Sequence, residues 1–236
     1  MGRGQQEGDA SGPQPRRRGA RLPKEVRDAL PPPVAHAWRL IAPHLPAGLY
    51  LAGGTAAALH LHHRRSNDLD FFFHDNAVDL DALETELSKL GAAVDLRSPG
   101  ALRVYVGETK VEFFHADEAR PQHPLAPPSI IGDVQVADIR DLMAMKLKVL
   151  AERGELRDYY DVKEIEERGG VSVEDGIALF RERYGLDHAS AAIRQLITAL
   201  GYLDDCDEDE SLPMSKRELT DWWRKRQAKL IRNLGL

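Results

Sequence analysis

Apolar and polar residues follow two different periods along this chain, and the period changes near residue 135. Before that point, short apolar or alternating runs between turn residues predict strands. These runs are residues 49–52, 68–73, 92–96, 102–106, 110–114 and, as one more edge strand or bridge, 130–131 with 134–136. Helical spacing dominates after that point. The predicted helices there are residues 138–153, 173–184, 189–200 and 215–236.

Helical segments also lie between the predicted strands, so the first half mixes both kinds of element. These segments are residues 24–30, 34–43, 55–63 and 79–90. Thr55 is the expected N-cap of the third of them. The pattern predicts an α+β fold with a small mixed β-sheet flanked by helices, plus a helical C-terminal half.

Composition divides the chain into three parts. Residues 1–22 are rich in Gly, Gln, Pro and Arg and predict a disordered basic tail, either solvated or in loose contact with nucleic acid. Residues 23–135 form the expected α/β core, which ends in a proline-rich stretch. Residues 136–236 form a helical region that we expect to complete the site.

Charge and cysteine content exclude several classes of protein. The net charge of −6 rules out a uniformly basic surface, and no run approaches the roughly 20 apolar residues that span a bilayer. We therefore expect no membrane partner. The N-terminus lacks the apolar segment of a secretory signal. The single Cys206 excludes an intramolecular disulfide framework and agrees with a cytoplasmic location.

The richest chemistry lies in residues 51–73. Gly53 and Gly54 let backbone approach a phosphate closely and lead, with Thr55, into the start of a helix. Asp68 and Asp70 follow at a spacing of two, which places both carboxylates on one face of a strand. Two neighbouring carboxylates repel each other, and a divalent cation is the usual compensation. Hard oxygen ligands suit Mg²⁺ or Mn²⁺, with substrate phosphates as further ligands.

At these residues the chain resembles a known family. Gly-Gly-Thr at 53–55 and Arg-Arg-Ser-Asn-Asp-Leu-Asp-Phe-Phe at 64–72 are similar to the DNA polymerase β-like nucleotidyltransferase superfamily. Within it they resemble the AbiEii/AbiGii toxin family, which includes the MenT toxins. The resemblance covers about residues 49–165. It implies a nucleotidyltransferase core and metal-assisted transfer of a nucleotide from a nucleoside triphosphate.

The resemblance extends to residues beside the glycines and carboxylates. It places Ser66 in the active site, where a hydroxyl can bind phosphate or orient a metal-bound water, although a plain turn residue fits equally well. Arg64 and Arg65 either hold the triphosphate or form surface ion pairs, and Arg65 is the one we assign to the nucleotide. Nucleotidyltransferases carry a third carboxylate on a strand beside the Asp-x-Asp strand, and the resemblance implies that Glu112 matches it as a metal ligand or general base. Alternatively, Glu112 is a surface glutamate paired with Lys110.

A second stretch, residues 141–162, is similar to the same family in carrying a helix lysine followed by Arg-x-Asp-type residues. A lysine on a mostly buried helix must reach solvent or meet an anion, and the resemblance implies that Lys146 neutralises the triphosphate. Asp158, predicted as catalytic, and Asp161 share one helical face. With Arg157, they either fix Lys146 and contact the nucleotide or form an ordinary salt-bridge network.

For three further features, a structural interpretation is favoured over a binding role. His60, His62 and His63 resemble a zinc cluster but lack a second ligand pair, so a partly exposed helix end is favoured. The acidic run at 204–210 lacks the spacing of a calcium loop. The basic last helix, with Trp222 and Trp223, either tracks RNA or docks on the core, and docking is favoured for the tryptophans.

The sequence thus predicts a metal-dependent nucleotidyltransferase, a toxin of a toxin–antitoxin system that transfers a nucleoside monophosphate to RNA such as the tRNA 3′ end. The expected partners are a nucleoside triphosphate, tRNA and a cognate antitoxin; the tRNA acceptor and the antitoxin come only from the family resemblance. The alternatives are a nucleotidyltransferase that modifies protein or a small molecule, and a catalytically inactive binding protein with the same fold.

Overall fold

The computed structural model of the chain describes residues 22–74, 78–116, 124–187 and 190–235. Apart from Leu22, the predicted basic tail lies outside the described residues. In the described part no helix is both long and apolar enough to cross a membrane.

A mixed seven-stranded sheet forms the floor of the N-terminal half. Its strands in the described residues are β1 (Tyr50–Ala52), β2 (Leu69–Phe73), β3 (Ala93–Ser98), β4 (Ala101–Val106), β5 (Thr109–His115), β6 (Ser129–Ile131) and β7 (Val134–Val136). Their order is β3-β4-β5-β2-β1-β7-β6. Strand β2 runs parallel to β5 and β7 parallel to β1, whereas the other pairs are antiparallel. The mixed sheet confirms the predicted α+β class.

Helices cover the sheet and build the C-terminal half. Those in the described residues are α1 (Lys24–Ala29), α2 (Pro32–Ile41), α3 (Gly53–Leu61), α4 (Leu80–Lys89), α5 (Ile139–Arg153), α6 (Leu156–Gly169), α7 (Val173–Tyr184), α8 (Ala191–Ala199) and α9 (Lys216–Leu234). Several begin at side chains that accept hydrogen bonds from the first free backbone N–H groups. Asp79, Asp138, Ser172 and Ser215 act in this way.

Burial follows the alternation of the strands. On β2, Leu69, Phe71 and Phe73 are buried while Asp70 and Phe72 are partly exposed on the opposite face. On β5, Phe113 is fully buried and stacks on Phe71 with ring centroids 5.3 Å apart. Helix α5 packs against α3, α6, α7 and α8. The buried apolar residues of both halves therefore form one continuous core.

Three local expectations need correction. Helix α3 begins at Gly53 rather than at Thr55, and Thr55 does not cap it. The one further edge strand expected from residues 130–131 with 134–136 is instead a pair of strands, of which β6 is at the edge of the sheet and β7 lies between β1 and β6. Helix α2 begins at Pro32, since proline fits the first turn of a helix, where its missing N–H has no intrahelical role. The predicted division of the chain between residues 135 and 136, which lies within β7, stays a prediction.

The last helix docks on α6 and α7. Trp223 is fully buried, and its indole nitrogen donates to the Tyr159 carbonyl oxygen at 3.2 Å. The acidic run holds the start of this helix: Glu208 accepts from the Lys216 backbone N–H at 2.8 Å, and the Lys216 ammonium donates to the Asp204 carbonyl at 2.8 Å. This contact gives the acidic run a structural role in seating α9.

Candidate active site

A cleft of about 790 Å³ opens between the sheet and helices α5 and α6. Nine of the residues singled out from the sequence line it. They are Gly53, Gly54, Ser66, Asp68, Asp70, Glu112, Lys146, Arg157 and Asp158. These residues come from β2 with its preceding segment, from β5 and from helices α3, α5 and α6, so the fold gathers groups that are far apart in sequence. Thr55, Arg65 and Asp161 do not line the cleft.

The acidic side of the cleft lies where β2 and β5 run in parallel. Asp70 is directly opposite Glu112 in the register, and Asp68 immediately precedes β2. Burial, together with the charges of Asp68 and Glu112, raises the pKa of Asp70 to about 6. The like charges are therefore close enough to disfavour ionisation, as the sequence pattern implied.

Two cations share these carboxylates. The Lys110 ammonium lies 2.8 Å from Glu112 Oε2 and 3.5 Å from Asp68 Oδ2. Arg103, on β4, donates from Nε to Glu112 Oε1 at 2.7 Å. Although burial opposes it, these hydrogen bonds lower the pKa of Glu112. Glu112 thus forms the ion pair with Lys110 that the sequence offered as an alternative, while still lining the cleft.

Gly53 and Gly54 make room for side chains of the site itself. Gly53 has a φ of +66°, and a Cβ there would overlap the carboxylate of Asp70. A Cβ on Gly54 would lie 2.5 Å from the Arg64 guanidinium and 3.0 Å from the Ser66 hydroxyl. Both substitutions would therefore displace groups that line the cleft. The approach of a phosphate to this backbone stays a prediction.

Thr55 connects the glycine turn to the acidic strand. Its hydroxyl is buried and donates to the backbone carbonyl of Asp68 at 2.5 Å. This bond fixes the start of β2 against the first turn of α3. The hydroxyl therefore faces the protein, and the nucleotide contact predicted for Thr55 stays a prediction.

Lys146, on α5, lines the cleft and forms ion pairs with two buried acids. Its ammonium lies 2.7 Å from Asp158 Oδ1 and 2.7 Å from Asp161 Oδ2. Burial disfavours the charged lysine, but Asp161 and Asp158 outweigh it and raise the pKa of Lys146. The lysine is therefore protonated, with a fixed position beside the carboxylate pair.

Asp161 is the centre of this cluster. Arg64 donates to it from Nε at 2.6 Å and from Nη2 at 2.8 Å, and His63 Nε2 lies 2.7 Å from Oδ1. Burial would raise the pKa of this carboxyl, but Lys146, Arg64 and His63 lower it below its usual range. The fully buried carboxylate thus orders groups from α5 and from the segment that follows α3, without lining the cleft itself.

The two arginines assigned to the nucleotide, Arg65 and Arg157, lie in different positions. Arg65 is exposed and outside the cleft lining, whereas its neighbour Arg64 lines the cleft. Arg157 lines the rim, but its guanidinium pairs with Glu155 at 2.7 Å and is not held by the acids of α6. The nucleotide contacts assigned to Arg65 and Arg157 stay predictions.

Sequence reasoning missed the roles of His63 and Arg103, whereas the pair of Lys110 with Glu112 was one of its alternatives. The partner of His63 is Asp161, 98 residues away, and that of Arg103 is Glu112, 9 residues away on the next strand. The three histidines do not form a zinc cluster: His62 is exposed, His60 Nε2 lies 2.8 Å from the Ala137 carbonyl oxygen, and His63 bonds Asp161. The favoured interpretation of a helix end holds for His62 but not for His63.

The donor set fits a magnesium ion that takes part of its shell from the substrate. Among the described residues, no group of three or more histidine, cysteine or acidic side chains is arranged to hold a metal. Asp68 and Asp70 supply two carboxylates, and the raised pKa of Asp70 reports the electrostatic cost that a cation would relieve. Mg²⁺ is commonly bound by one or two carboxylates, with waters and phosphate oxygens as its other ligands.

Comparison with known proteins gives consistent matches. A family model described as "Nucleotidyl transferase AbiEii toxin, Type IV TA system" matches residues 38–235. The uncharacterized protein aq_aa25 of Aquifex aeolicus is 24% identical over 217 residues, 90% of this chain and 99% of its own. The nucleotidyltransferase toxin MenT4 of Mycobacterium tuberculosis aligns with a TM-score of 0.56 and 20% identity, covering 88% of this chain and 85% of its own. The last likeness shows a shared fold.

Proposed function

Since the chain belongs to the AbiEii family of nucleotidyltransferase toxins, we propose that it is a metal-dependent enzyme that transfers a nucleoside monophosphate to an RNA acceptor. In this proposal the acceptor is the 3′ end of tRNA, and the protein is the toxin of a toxin–antitoxin pair. The RNA acceptor rests on the resemblance of residues 49–165 to MenT-like proteins. The activity class, nucleotidyltransferase, is given by the family itself.

One observation carries the proposal. The carboxylates of Asp68 and Asp70 share one cleft with the glycine turn at the start of α3 and with the ammonium of Lys146. Acids that attract a cation, free N–H groups at a helix start and a fixed positive charge are the three elements that bind a metal–triphosphate complex. Here residues that supply all three elements line a single cavity.

The residues of the chain divide the work of transfer. The N–H groups at the start of α3 bind the phosphates, and Lys146 neutralises charge as pyrophosphate leaves. Asp158 and Asp161 hold Lys146 in place. The acceptor hydroxyl oxygen bonds to the α-phosphorus as the bond from that phosphorus to the bridging oxygen breaks. A bound magnesium ion would stabilise the charge of this in-line displacement.

In this proposal, Glu112 receives the proton of the acceptor hydroxyl. Its lowered pKa makes it a weak base, so this role requires that Lys110 or Arg103 leave the carboxylate when substrate binds. If Glu112 instead bound the metal, Lys110 or Arg103 would likewise have to leave its carboxylate. Either role places the acceptor on the β5 side of Asp70.

The acceptor class is tested by label transfer. The protein, with Mg²⁺, is incubated with each α-labelled ribonucleoside triphosphate and with total tRNA, cell protein or small-molecule extract. We expect label in the tRNA fraction when the reaction contains wild-type protein, and no label there when it contains Asp68→Ala. Label on protein or on a small molecule alone would remove the RNA acceptor and support the corresponding alternative.

The toxin role needs a separate readout. Expression of the wild-type protein should inhibit growth, and Asp68→Ala should relieve the inhibition because it removes a carboxylate of the cleft. Equal inhibition by both proteins would mean that the effect comes from binding and not from catalysis.

A further inference from the structure

The carboxylate face of the sheet continues beyond the cleft onto β4 and β3. Cross-strand partners carry their side chains on one face, so the pairing of β5 with β4 extends that face from Glu112 to Arg103 and from Lys110 to Tyr105. The pairing of β4 with β3 extends it once more, from Arg103 to Leu96. The side chains of Leu96, Arg103, Tyr105 and Lys110 thus form a shelf that adjoins the acidic side of the cleft.

The shelf is open to solvent, whereas a helix lies behind it. Leu96 is 40% exposed and Tyr105 is 38% exposed. Arg97 faces the other side of the sheet, because its partner Leu102 is buried there, and it pairs with Asp81 of α4 at 2.6 Å. Among the described residues, the hairpin of β3 and β4 therefore has one face packed on a helix and one face free to bind.

The two cations of the shelf remain partly exposed and are shared between acids. Lys110 lies between Glu112 and Asp68, and Arg103 donates to Glu112 at 2.7 Å and to Asp95 at 3.2 Å. In the proposed function, one of these cations leaves Glu112 when substrate binds. A phosphate group on the shelf supplies another anion for that cation, since charged hydrogen bonds to phosphate are strong.

The geometry of transfer fixes the side from which the acceptor arrives. In an in-line displacement, the attacking oxygen and the leaving group lie on opposite sides of the phosphorus. The proposed function places the pyrophosphate at the start of α3, which follows β1 on one side of β2, so the acceptor arrives from β5 on the other side. The shelf continues in that direction.

The length of this surface suits a single strand of several nucleotides. From β2 to β3 there are three strand spacings, roughly 14 Å, which is the length of about four nucleotides stacked 3.4 Å apart. An exposed aromatic ring beside cations is the combination that binds unpaired nucleic acid, because bases stack on the ring while the cations contact phosphates.

We propose that the shelf binds the unpaired 3′ end of the acceptor RNA. Arg103 and Lys110 contact its phosphates, and Tyr105 stacks on a base upstream of the terminal nucleotide, with Leu96 beside the ring. This inference rests on the proposed function, which supplies the RNA acceptor and the position of the triphosphate. Paired bases already stack within their own helix, so the shelf favours a single strand over a duplex.

The test separates the acceptor from the nucleotide. Label transfer with Mg²⁺ measures the KM for total tRNA and the KM for the transferred ribonucleoside triphosphate in wild type, Tyr105→Leu and Arg103→Gln. Arg97→Gln is the matched control for the arginine, because it lies on the same hairpin and faces α4. Tyr202→Leu is the control for the tyrosine, because Tyr202 is 51% exposed and lies outside the shelf.

We expect Tyr105→Leu to raise the KM for tRNA about tenfold, since one stacked base contributes on this scale, and to leave the KM for the nucleotide unchanged. Arg103→Gln should also lower the slope of log affinity for tRNA against log salt by about 0.7, as expected when one contact to a single strand is lost. Both control variants should behave as wild type does.

Three results would overturn the inference. One is an unchanged KM for tRNA in Tyr105→Leu together with an unchanged salt slope in Arg103→Gln, and another is an equal rise in both KM values. The third is a wild-type dimer in sedimentation that Tyr105→Leu dissociates, because the shelf would then bind a second copy of the chain. A wild-type protein that labels no RNA would overturn the proposed function and this inference with it.

Discussion

The carboxyl group of Asp70 lies in surroundings that favour its protonated form. Its pKa is raised from 3.8 to about 6, first by burial and then by Asp68 and Glu112. A carboxyl group whose pKa is raised on folding does not lower the free energy of unfolding when the pH is below its pKa in the unfolded chain. Above its pKa in the folded protein, its full destabilising effect is present. The site therefore destabilises the metal-free protein at neutral pH.

We predict that Asp70→Asn stabilises the metal-free protein at pH 7.5 but not at pH 4, while removing activity. The difference between a pKa of 3.8 and about 6 corresponds to about 3 kcal/mol. Urea unfolding at both pH values measures it, with Asp221→Asn on the exposed face of α9 as control. A variant less stable than wild type at pH 7.5 would contradict the electrostatic account.

Gly53 makes a second prediction at this scale. Gly53→Ala adds a Cβ at a φ of +66° and drives it into Asp70, so both stability and activity should fall. Gly91→Ala is the matched control, because Gly91 also has a positive φ (+86°) but a Cβ there meets open space. Both variants should lose about 1–2 kcal/mol from backbone strain.

Only Gly53→Ala should also lose Mg²⁺-dependent activity, measured at a temperature where both variants remain folded. Equal activity in the two alanine variants would show that the glycine is needed for its backbone conformation and not for the room it leaves to Asp70.

Asp161 on α6 joins α5 to the segment that follows α3, and these contacts fix the cationic side of the cleft. The fully buried carboxylate accepts from Arg64 and Lys146 and lies 2.7 Å from His63. Removing one member of a buried ion cluster leaves the others uncompensated. Removing the Asp161 carboxylate should therefore weaken the packing of all the segments that it joins.

We predict that Asp161→Asn costs about 3–5 kcal/mol at pH 7, measured by denaturant unfolding. Because the pKa of Asp161 is lowered in the fold, its contribution is present above the unfolded pKa and is lost as the pH falls through the folded value. The difference from wild type should therefore shrink below about pH 4. Glu182→Gln, an exposed acid on α7, should change neither quantity, and a pH-independent difference would contradict the assignment.

Local patterns were enough to predict most elements but not their long-range pairs. The helical period predicted α7 with its observed ends, Val173 and Tyr184, and it predicted a helix over residues 138–153, which the structure shows as α5 with Asp138 as its N-cap. The start of α3 was wrong because Gly53 and Gly54 favour turns by propensity, whereas tertiary packing places them in the first helical turn. No local pattern joins His63 to Asp161, since that contact exists only after the fold has formed.

Across the whole molecule, α9 ties the C-terminal end to the site through α6. Trp223 packs edge-on against Tyr159, whose neighbour Asp158 holds Lys146. Arg226 adds ion pairs to Glu166 on α6 and Glu174 on α7. The helix therefore supports the backbone from which the acids of the cleft project.

We predict that Trp223→Ala destabilises the protein by about 3–5 kcal/mol, as expected for a fully buried large ring. The adjacent Trp222 is partly exposed, and its indole donates to Glu167 at 2.8 Å, so Trp222→Ala should cost clearly less. Thermal unfolding of the two variants measures the difference. Equal costs would mean that α9 does not dock through Trp223.

The most direct test of nucleotidyl transfer measures where the α-phosphate and the γ-phosphate of the nucleoside triphosphate end up. Wild-type protein and Asp70→Asn are incubated with Mg²⁺, tRNA and the preferred nucleoside triphosphate labelled either on the α- or on the γ-phosphate. The account predicts that wild type places only the α-label on RNA and releases the γ-label as pyrophosphate, while Asp70→Asn does neither. Transfer of the γ-label, or equal α-label transfer by both proteins, would contradict it.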